Sequence, residues 1–352
     1  MNGLLLAVRN LRVTLPTPQG ACNAVNGVSF DIASGSTTGI VGESGSGKSM
    51  TCLSILGLQP ASATVAADSI TFEGRQLIGL SESAMRPLRG REIAIVFQNP
   101  MSSLNPYLSI ERQLTEGMQV HLKRTRAQAR GAAIELLQRV AIPEPERRLW
   151  WYPHEFSGGM LQRIAIAMAL ACEPRLLVAD EPTTALDATV QAEILQLLKN
   201  LQSGAKEGAD TSTPGSTGSP ATSPSALGRL AMLFVSHDLD VVARVCDNVL
   251  VMYAGRIVEE GPSRDLLSTP LHPYTRALLE CVPRLGAPCL KRTDRLPSIP
   301  GAPPDPTSLP RGCAFHPRCP VASAECRDKA PELLEVKPGR RVACFGTAGS
   351  RG

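Results

Sequence analysis

The stretch GESGSGKS, Gly42–Ser49, restricts the fold more than any other part of this chain. It follows a short apolar run, read as a strand at Gly39–Val41, and it opens the apolar-periodic helix of SMTCLSILGL. Gly42, Gly47, Lys48 and Ser49 have the spacing of a phosphate-binding loop, whose glycines let successive N–H groups turn inward as an anion nest. Such a loop needs a strand feeding a helix, so the chain is expected to be α/β. In this reading Lys48 reaches the β- and γ-phosphates and the Ser49 hydroxyl ligates Mg2+, with Ser44, Gly45 and Met50 completing the cradle.

Three further apolar runs end in polar groups suited to the same chemistry. EIAIVFQ ends in Gln98, RLLVADEP in Asp180 and Glu181, and LAMLFVSHD in His237. Asp180 and Gln98 are placed to hold the metal, and Glu181 to orient and deprotonate an attacking water. His237 is placed to donate to a γ-phosphate. Taken singly, an Asp-Glu pair after a strand is an ordinary solvated turn, and one histidine is an ordinary structural residue. With the glycine loop present, they converge on the carboxyl edge of a mainly parallel sheet, where open α/β sheets bind ligands. MNGLLLAVRN reads as a first strand and NVLVMYAGRIVEEG as a closing hairpin.

Between Gln98 and Phe156 the chain is polar, helix-rich and free of strand patterns, so a helical subdomain is expected at about residues 99–175. Within it, SGGMLQR sets Ser157, Gly158 and Gly159 ahead of the apolar run IAIAMALA. Serine is a good N-cap, glycine tolerates the turn before it, and the exposed N–H groups of a helix start suit a phosphate. Residues 203–228 are Ser, Thr, Gly, Pro and Ala with almost nothing to bury, a composition that predicts a disordered surface insertion. A Pro-rich shift near Pro262 divides a nucleotide-binding domain, 1–262, from a small irregular C-terminal domain, 263–352.

The chain has 352 residues, 43% of them hydrophobic, enough for a real core. A net charge of +4 over 36 basic and 32 acidic residues gives no argument for a nucleic-acid surface. The longest apolar stretch, Ile164–Cys172, is about half of what a bilayer crossing needs, and the opening has too few apolar residues before Arg9 for a signal-peptide core. A cytoplasmic protein is expected. Cys22, Cys52, Cys172, Cys246, Cys281 and Cys289 read as small core residues. Cys313, Cys319, Cys326 and Cys344 crowd together, which in a cytosolic chain points to metal before disulfide. Their spacing lacks the paired C-x2-C knuckles of common zinc sites, so an iron–sulfur cubane, zinc and no metal all stay open, with His316 as a structural residue or a substitute ligand.

Jointly these motifs resemble the ATP-binding subunits of ABC transporters. GESGSGKS is similar to the family's Walker A, Gln98 to its Q-loop, FSGGM to its signature, LLVADEP to its Walker B, Ala185-Leu186-Asp187 to its D-loop and His237 to its switch histidine. The resemblance implies a P-loop NTPase of ABC type that hydrolyses ATP with Mg2+. It also implies two ATP molecules sandwiched head to tail, Ser157, Gly158 and Gly159 facing the γ-phosphate held by a partner subunit. FQNPMSSLNP, HPYTRALL, IPGAPP, GCAFHPRCP and a signature ending in Met160 resemble the oligopeptide/dipeptide importers, whose pattern nickel and glutathione importers share. That branch implies two transmembrane permease subunits, a second and paralogous ATPase subunit, an extracytoplasmic substrate-binding protein, attachment to the cytoplasmic face of the inner membrane, and a [4Fe–4S] cluster on the four cysteines. No aromatic residue lies between Val13 and Val25 to stack on adenine, so apolar contact from Leu15 or the Val25 region is expected instead. The rival readings are a soluble ABC ATPase of DNA repair or translation, and a metal-sensing interaction protein.

Overall fold

The structure is a computed structural model that describes residues 3–184, 186–203, 230–281 and 298–348. Ala185, Cys289 and residues 204–228 of the expected insertion lie outside the described residues. Internal contacts divide the chain into two compact units. The first comprises Met1–Leu5, Ala33–Ser36 and Leu80–Leu233; the second comprises Leu6–Ile32, Thr37–Gly79 and Phe234–Gly352.

The strands in chain order are β1 (Leu4–Thr17), β2 (Gly20–Ala33), β3 (Thr37–Val41), β4 (Thr64–Ala66), β5 (Ser69–Phe72), β6 (Arg75–Gln76) and β7 (Ile93–Val96). They continue as β8 (Leu176–Asp180), β9 (Ala231–Ser236), β10 (Asn248–Tyr253), β11 (Arg256–Pro262), β12 (Leu334–Lys337) and β13 (Arg340–Val342).

In the second unit, β1 pairs antiparallel with β4 and β5, and β5 with β6. Leu5 to Val8 of β1 are all buried, whereas further along Arg12 is exposed between buried Leu11 and Val13, so only that later part of the strand alternates like a sheet wet on one face. The same unit pairs β3 parallel to β10, from Thr38 opposite Asn248 to Val41 opposite Val251. Every residue of β3 is buried, which accounts for a continuous run instead of an alternating one. β10 and β11 form the expected hairpin; its two-residue turn, Ala254 (φ 47°) and Gly255 (φ 76°), has the positive φ values that match strand twist.

The C-terminal region, expected to be irregular, contributes β12 and β13, and β13 pairs with β11. Strands of three and four residues carry no readable period. Their anchor is an ion pair, Arg340 to Glu259 at 2.6 Å, with both side chains almost wholly buried.

In the first unit, β7 and β8 pair parallel, from Ile93 opposite Leu176 to Val96 opposite Ala179. Helices Ile110–His121, Arg126–Arg139, Gly158–Leu170 and Ala188–Ser203 accompany them. Thr125 starts the second of these with a full capping box, reciprocated by Gln128. Among the described residues no helix is long and apolar enough to cross a membrane. Cys52, Cys172 and Cys246 are buried as expected, whereas Cys22 and Cys281 are only half-buried.

Candidate active site

The glycine loop lies in the second unit, between the end of β3 and the helix Lys48–Ile55. Two of its glycines are required by space. A Cβ on Gly42 would lie 2.2 Å from the Met252 carbonyl oxygen, and one on Gly47 would lie 2.3 Å from that of Ala24. Gly47 also has a φ of 100°, a backbone state that L side chains avoid. Lys48 is buried, and its Nζ donates to the carbonyl oxygens of Gly42 (2.8 Å) and Glu43 (3.0 Å). Ser44, Gly45 and Ser49 are exposed and Met50 is half-buried, so the outer face of the loop is open. His237 follows β9 directly and is exposed, while Asp238 caps the next helix through the Asp240 N–H at 2.8 Å. Val25 is buried and Leu15 half-buried.

The first unit gathers the other set. Because β7 and β8 run parallel in register, their ends bring Gln98 and Glu181 together, and Gln98 Nε2 donates to Glu181 Oε2 at 3.1 Å. Thr184 Oγ1 donates to the same oxygen at 2.9 Å. Sequence reading missed Thr184, which stands in the turn that Glu181 begins. Glu181 has a φ of 48°, uncommon for a residue with a side chain, and strained positions of this kind cluster at functional sites. Asp180, the last residue of β8, is buried.

Ser157 is the N-cap of Gly158–Leu170, its Oγ accepting from the Met160 N–H at 3.4 Å. Ser157 and Gly158 are exposed, so the helix start presents open backbone. A Cβ on Gly159 would lie 2.8 Å from Val190 Cγ1, which ties this helix start to the helix Ala188–Ser203. Asp187 caps that second helix, its Oδ1 accepting from Thr189 N (3.1 Å) and Val190 N (3.0 Å).

Cys313, Cys319, Cys326 and Cys344 line one cavity of about 230 Å3 in the second unit. Burial, and then the neighbouring thiols, push the Cys313 and Cys319 thiols up from their ordinary range. His316 Nδ1 lies 3.0 Å from the Cys313 carbonyl oxygen. Among the described residues no group of three or more His, Cys, Asp or Glu is arranged to hold a metal ion.

Residues 25–184 match the ABC transporter family, and residues 258–326 match the oligopeptide/dipeptide transporter C-terminal region. The chain is 46% identical to the oligopeptide transport ATP-binding protein OppD of Escherichia coli, over 97% of this chain and 93% of that protein. It is 48% identical to a probable peptide ABC transporter ATP-binding protein of Sinorhizobium fredii, over 97% and 95%. Among solved structures it resembles the dimeric structure of MJ0796, a bacterial ABC transporter cassette, with 26% identity and a TM-score of 0.61 over 74% of this chain and 99% of that one. It also resembles cbiO1 from Clostridium perfringens, part of the ABC transporter complex cbiONQ, with 27% identity and a TM-score of 0.59 over 76% and 92%. Two glycines without room for a side chain, a buried lysine under the loop and a serine-capped open helix start agree with these likenesses, and the chain belongs to the ABC transporter family of ATP-binding proteins, in the oligopeptide/dipeptide branch.

Proposed function

We propose that this chain is the ATP-hydrolysing subunit of an importer of di- or oligopeptides. One observation carries the reading: a single chain joins the ATP-binding family match to the oligopeptide/dipeptide C-terminal match. Loop N–H groups from Gly42 to Ser49, including those of Ser44, Gly45 and Gly47, cradle the phosphates, Lys48 neutralises them, and Met50 borders the nucleotide. Ser49, Gln98 and Asp180 would hold Mg2+, and the ion would supply charge neutralisation at the phosphates. Glu181 takes a proton from the attacking water, Gln98 and Thr184 fix its carboxylate, and His237 donates to the γ-phosphate.

Ser157, Gly158 and Gly159 act in trans, on the nucleotide of a second and paralogous ATPase subunit, with Asp187 at the junction. ATP binding closes that pair and hydrolysis reopens it, moving two membrane permease subunits fed by an extracytoplasmic binding protein. The assembly lies on the cytoplasmic face of the inner membrane. Proteoliposomes containing the chain with its permease subunits import labelled oligopeptides only with hydrolysable ATP; import that ignores ATP contradicts this.

The four cysteines also support a [4Fe–4S] cluster, a refinement resting on donor chemistry. The Cys313 and Cys319 thiols, pushed up by burial and then by neighbouring thiols, share one cavity with Cys326 and Cys344, and a cationic cluster bound there would favour the thiolate form that ligation needs. Cys313, Cys319, Cys326 and Cys344 would hold it, in a structural role. Anaerobically purified protein shows the broad visible absorption of a cubane, lost in Cys319→Ser; colourless, iron-free protein contradicts it.

A further inference from the structure

Resting on that ATP-binding reading, we infer that Arg318 and Tyr274 are positioning residues for ATP, acting through Glu43 of the glycine loop. Glu43 occupies one of the unspecified positions of the phosphate-loop pattern, so loop chemistry does not call for a carboxylate there. Its polar groups are nonetheless all held. The N–H donates to Tyr274 Oη at 2.8 Å, and the carbonyl oxygen accepts from Lys48 Nζ at 3.0 Å. The carboxylate accepts two parallel bonds from Arg318, Nη1 to Oε2 at 2.7 Å and Nη2 to Oε1 at 3.0 Å. Lys48, the residue that meets the phosphates, therefore rests on a carbonyl whose own residue is fixed from the C-terminal region.

The two clamping residues are themselves immobilised. Arg318 has a side chain only 4% exposed, and its Nε donates to the Pro300 carbonyl oxygen at 2.9 Å. Tyr274 is fully buried, its ring 4.6 Å from that of Tyr253 and 5.4 Å from that of Phe315. The start of its helix is pinned by His272 Nδ1, which accepts the Tyr274 N–H at 3.0 Å. The His272 N–H in turn donates to Glu259, the partner of Arg340, at 2.8 Å. HPY and HPR, two tripeptides of the C-terminal region, thus reach the same loop residue.

Electrostatics gives the arrangement its consequence. A bare carboxylate beside a polyphosphate repels it, and a bidentate guanidinium cancels that charge while fixing the side chain. Loss of Arg318 uncovers the Glu43 charge and frees the carbonyl on which Lys48 rests. Both effects weaken ATP binding and neither removes the catalytic base, so the change appears in KM more than in kcat. Arg318 also stands in the turn between Cys313 and Cys319, which connects the cysteine loop to the nucleotide.

The test is titration of a fluorescent ATP analogue into the full chain carrying Glu181→Gln, with steady-state kinetics on chains that keep Glu181. Arg318→Gln weakens binding by about tenfold, a change in charge–charge energy of the size expected near a protein surface. Adding Glu43→Gln restores affinity to within about threefold of the parent, because the repelling charge is gone. Arg341→Gln removes the neighbouring ion pair with Glu260 and leaves affinity within about twofold, which controls for simple destabilisation. If Arg318→Gln does not fold, Tyr274→Phe, which deletes only the hydroxyl, weakens binding by about threefold.

Affinity unchanged in Arg318→Gln and Tyr274→Phe, or a Glu43→Gln change that adds to the Arg318→Gln defect, overturns the inference alone. A parent chain that binds no ATP overturns the reading beneath it as well.

Discussion

Gly45 and Gly47 stand two residues apart in the same loop, both with positive φ, yet an alanine at each meets different surroundings. At Gly45 (φ 78°) nothing lies within 4 Å of an added Cβ, so Gly45→Ala costs only the backbone strain, about 1–2 kcal/mol. At Gly47 (φ 100°) the same strain applies, and the Cβ stands 2.3 Å from the Ala24 carbonyl oxygen and 3.3 Å from Met252 Cε. Ala24 belongs to β2 and its carbonyl also packs on Gly255, so this backbone has little room to retreat. Overpacking of this kind adds about 1–3 kcal/mol. The two variants should therefore differ by about 2 kcal/mol, or on the order of 5 °C in melting temperature for a domain of this size. Thermal unfolding followed by circular dichroism without nucleotide reads the difference directly. Equal melting temperatures, or a lower one for Gly45→Ala, would refute the claim that space as well as dihedral selects glycine at position 47.

Three further outcomes follow from the packing. Glu259→Gln breaks a pair in which Glu259 is 0% exposed and also accepts from Leu271 N and His272 N, so denaturant unfolding should register a loss of about 3–5 kcal/mol; a loss under about 1 kcal/mol contradicts this. Gly159→Ala presses a Cβ to 2.8 Å from Val190 Cγ1 and should destabilise by about 1–2 kcal/mol, with Val190→Ala restoring the loss; strictly additive effects contradict the contact. Ser157→Ala loses a long cap bond of 3.4 Å and should cost no more than about 1 kcal/mol in stability, while abolishing the ATP-dependent pairing of subunits seen by size exclusion; pairing that persists removes the role in trans.

The sequence was most legible where burial is uniform or a backbone constraint is local. β3, β8 and β9 are buried at every residue; the apolar runs of β8 and β9 announced them, while only Gly39–Val41 of β3 was legible because its first two residues, Thr37 and Thr38, are polar. The glycine loop and the Ser157 cap were likewise readable as local patterns within eight residues, although the space that demands Gly42 and Gly47 is set by the distant carbonyls of Met252 and Ala24. Partnerships across long separations were not legible. Arg318 meets Glu43 across 275 positions, and Glu259 meets Arg340 across 81; in each, a charged residue that composition assigns to the surface is buried by its partner. Thr184 stayed hidden because its role depends on the positive φ of Glu181, which redirects the turn. Cys22 carries apolar-looking neighbours but lies near the start of β2, a strand exposed on one face, so its half-burial follows from sheet position.

ATP binding and turnover, compared between the unsubstituted chain and Glu181→Gln in membranes that also contain its permease subunits, test the assignment most directly. Both chains should bind Mg-ATP alike, with turnover in Glu181→Gln lower by at least about 100-fold. Unaltered turnover in Glu181→Gln, or an unsubstituted chain that takes up no ATP, would contradict it.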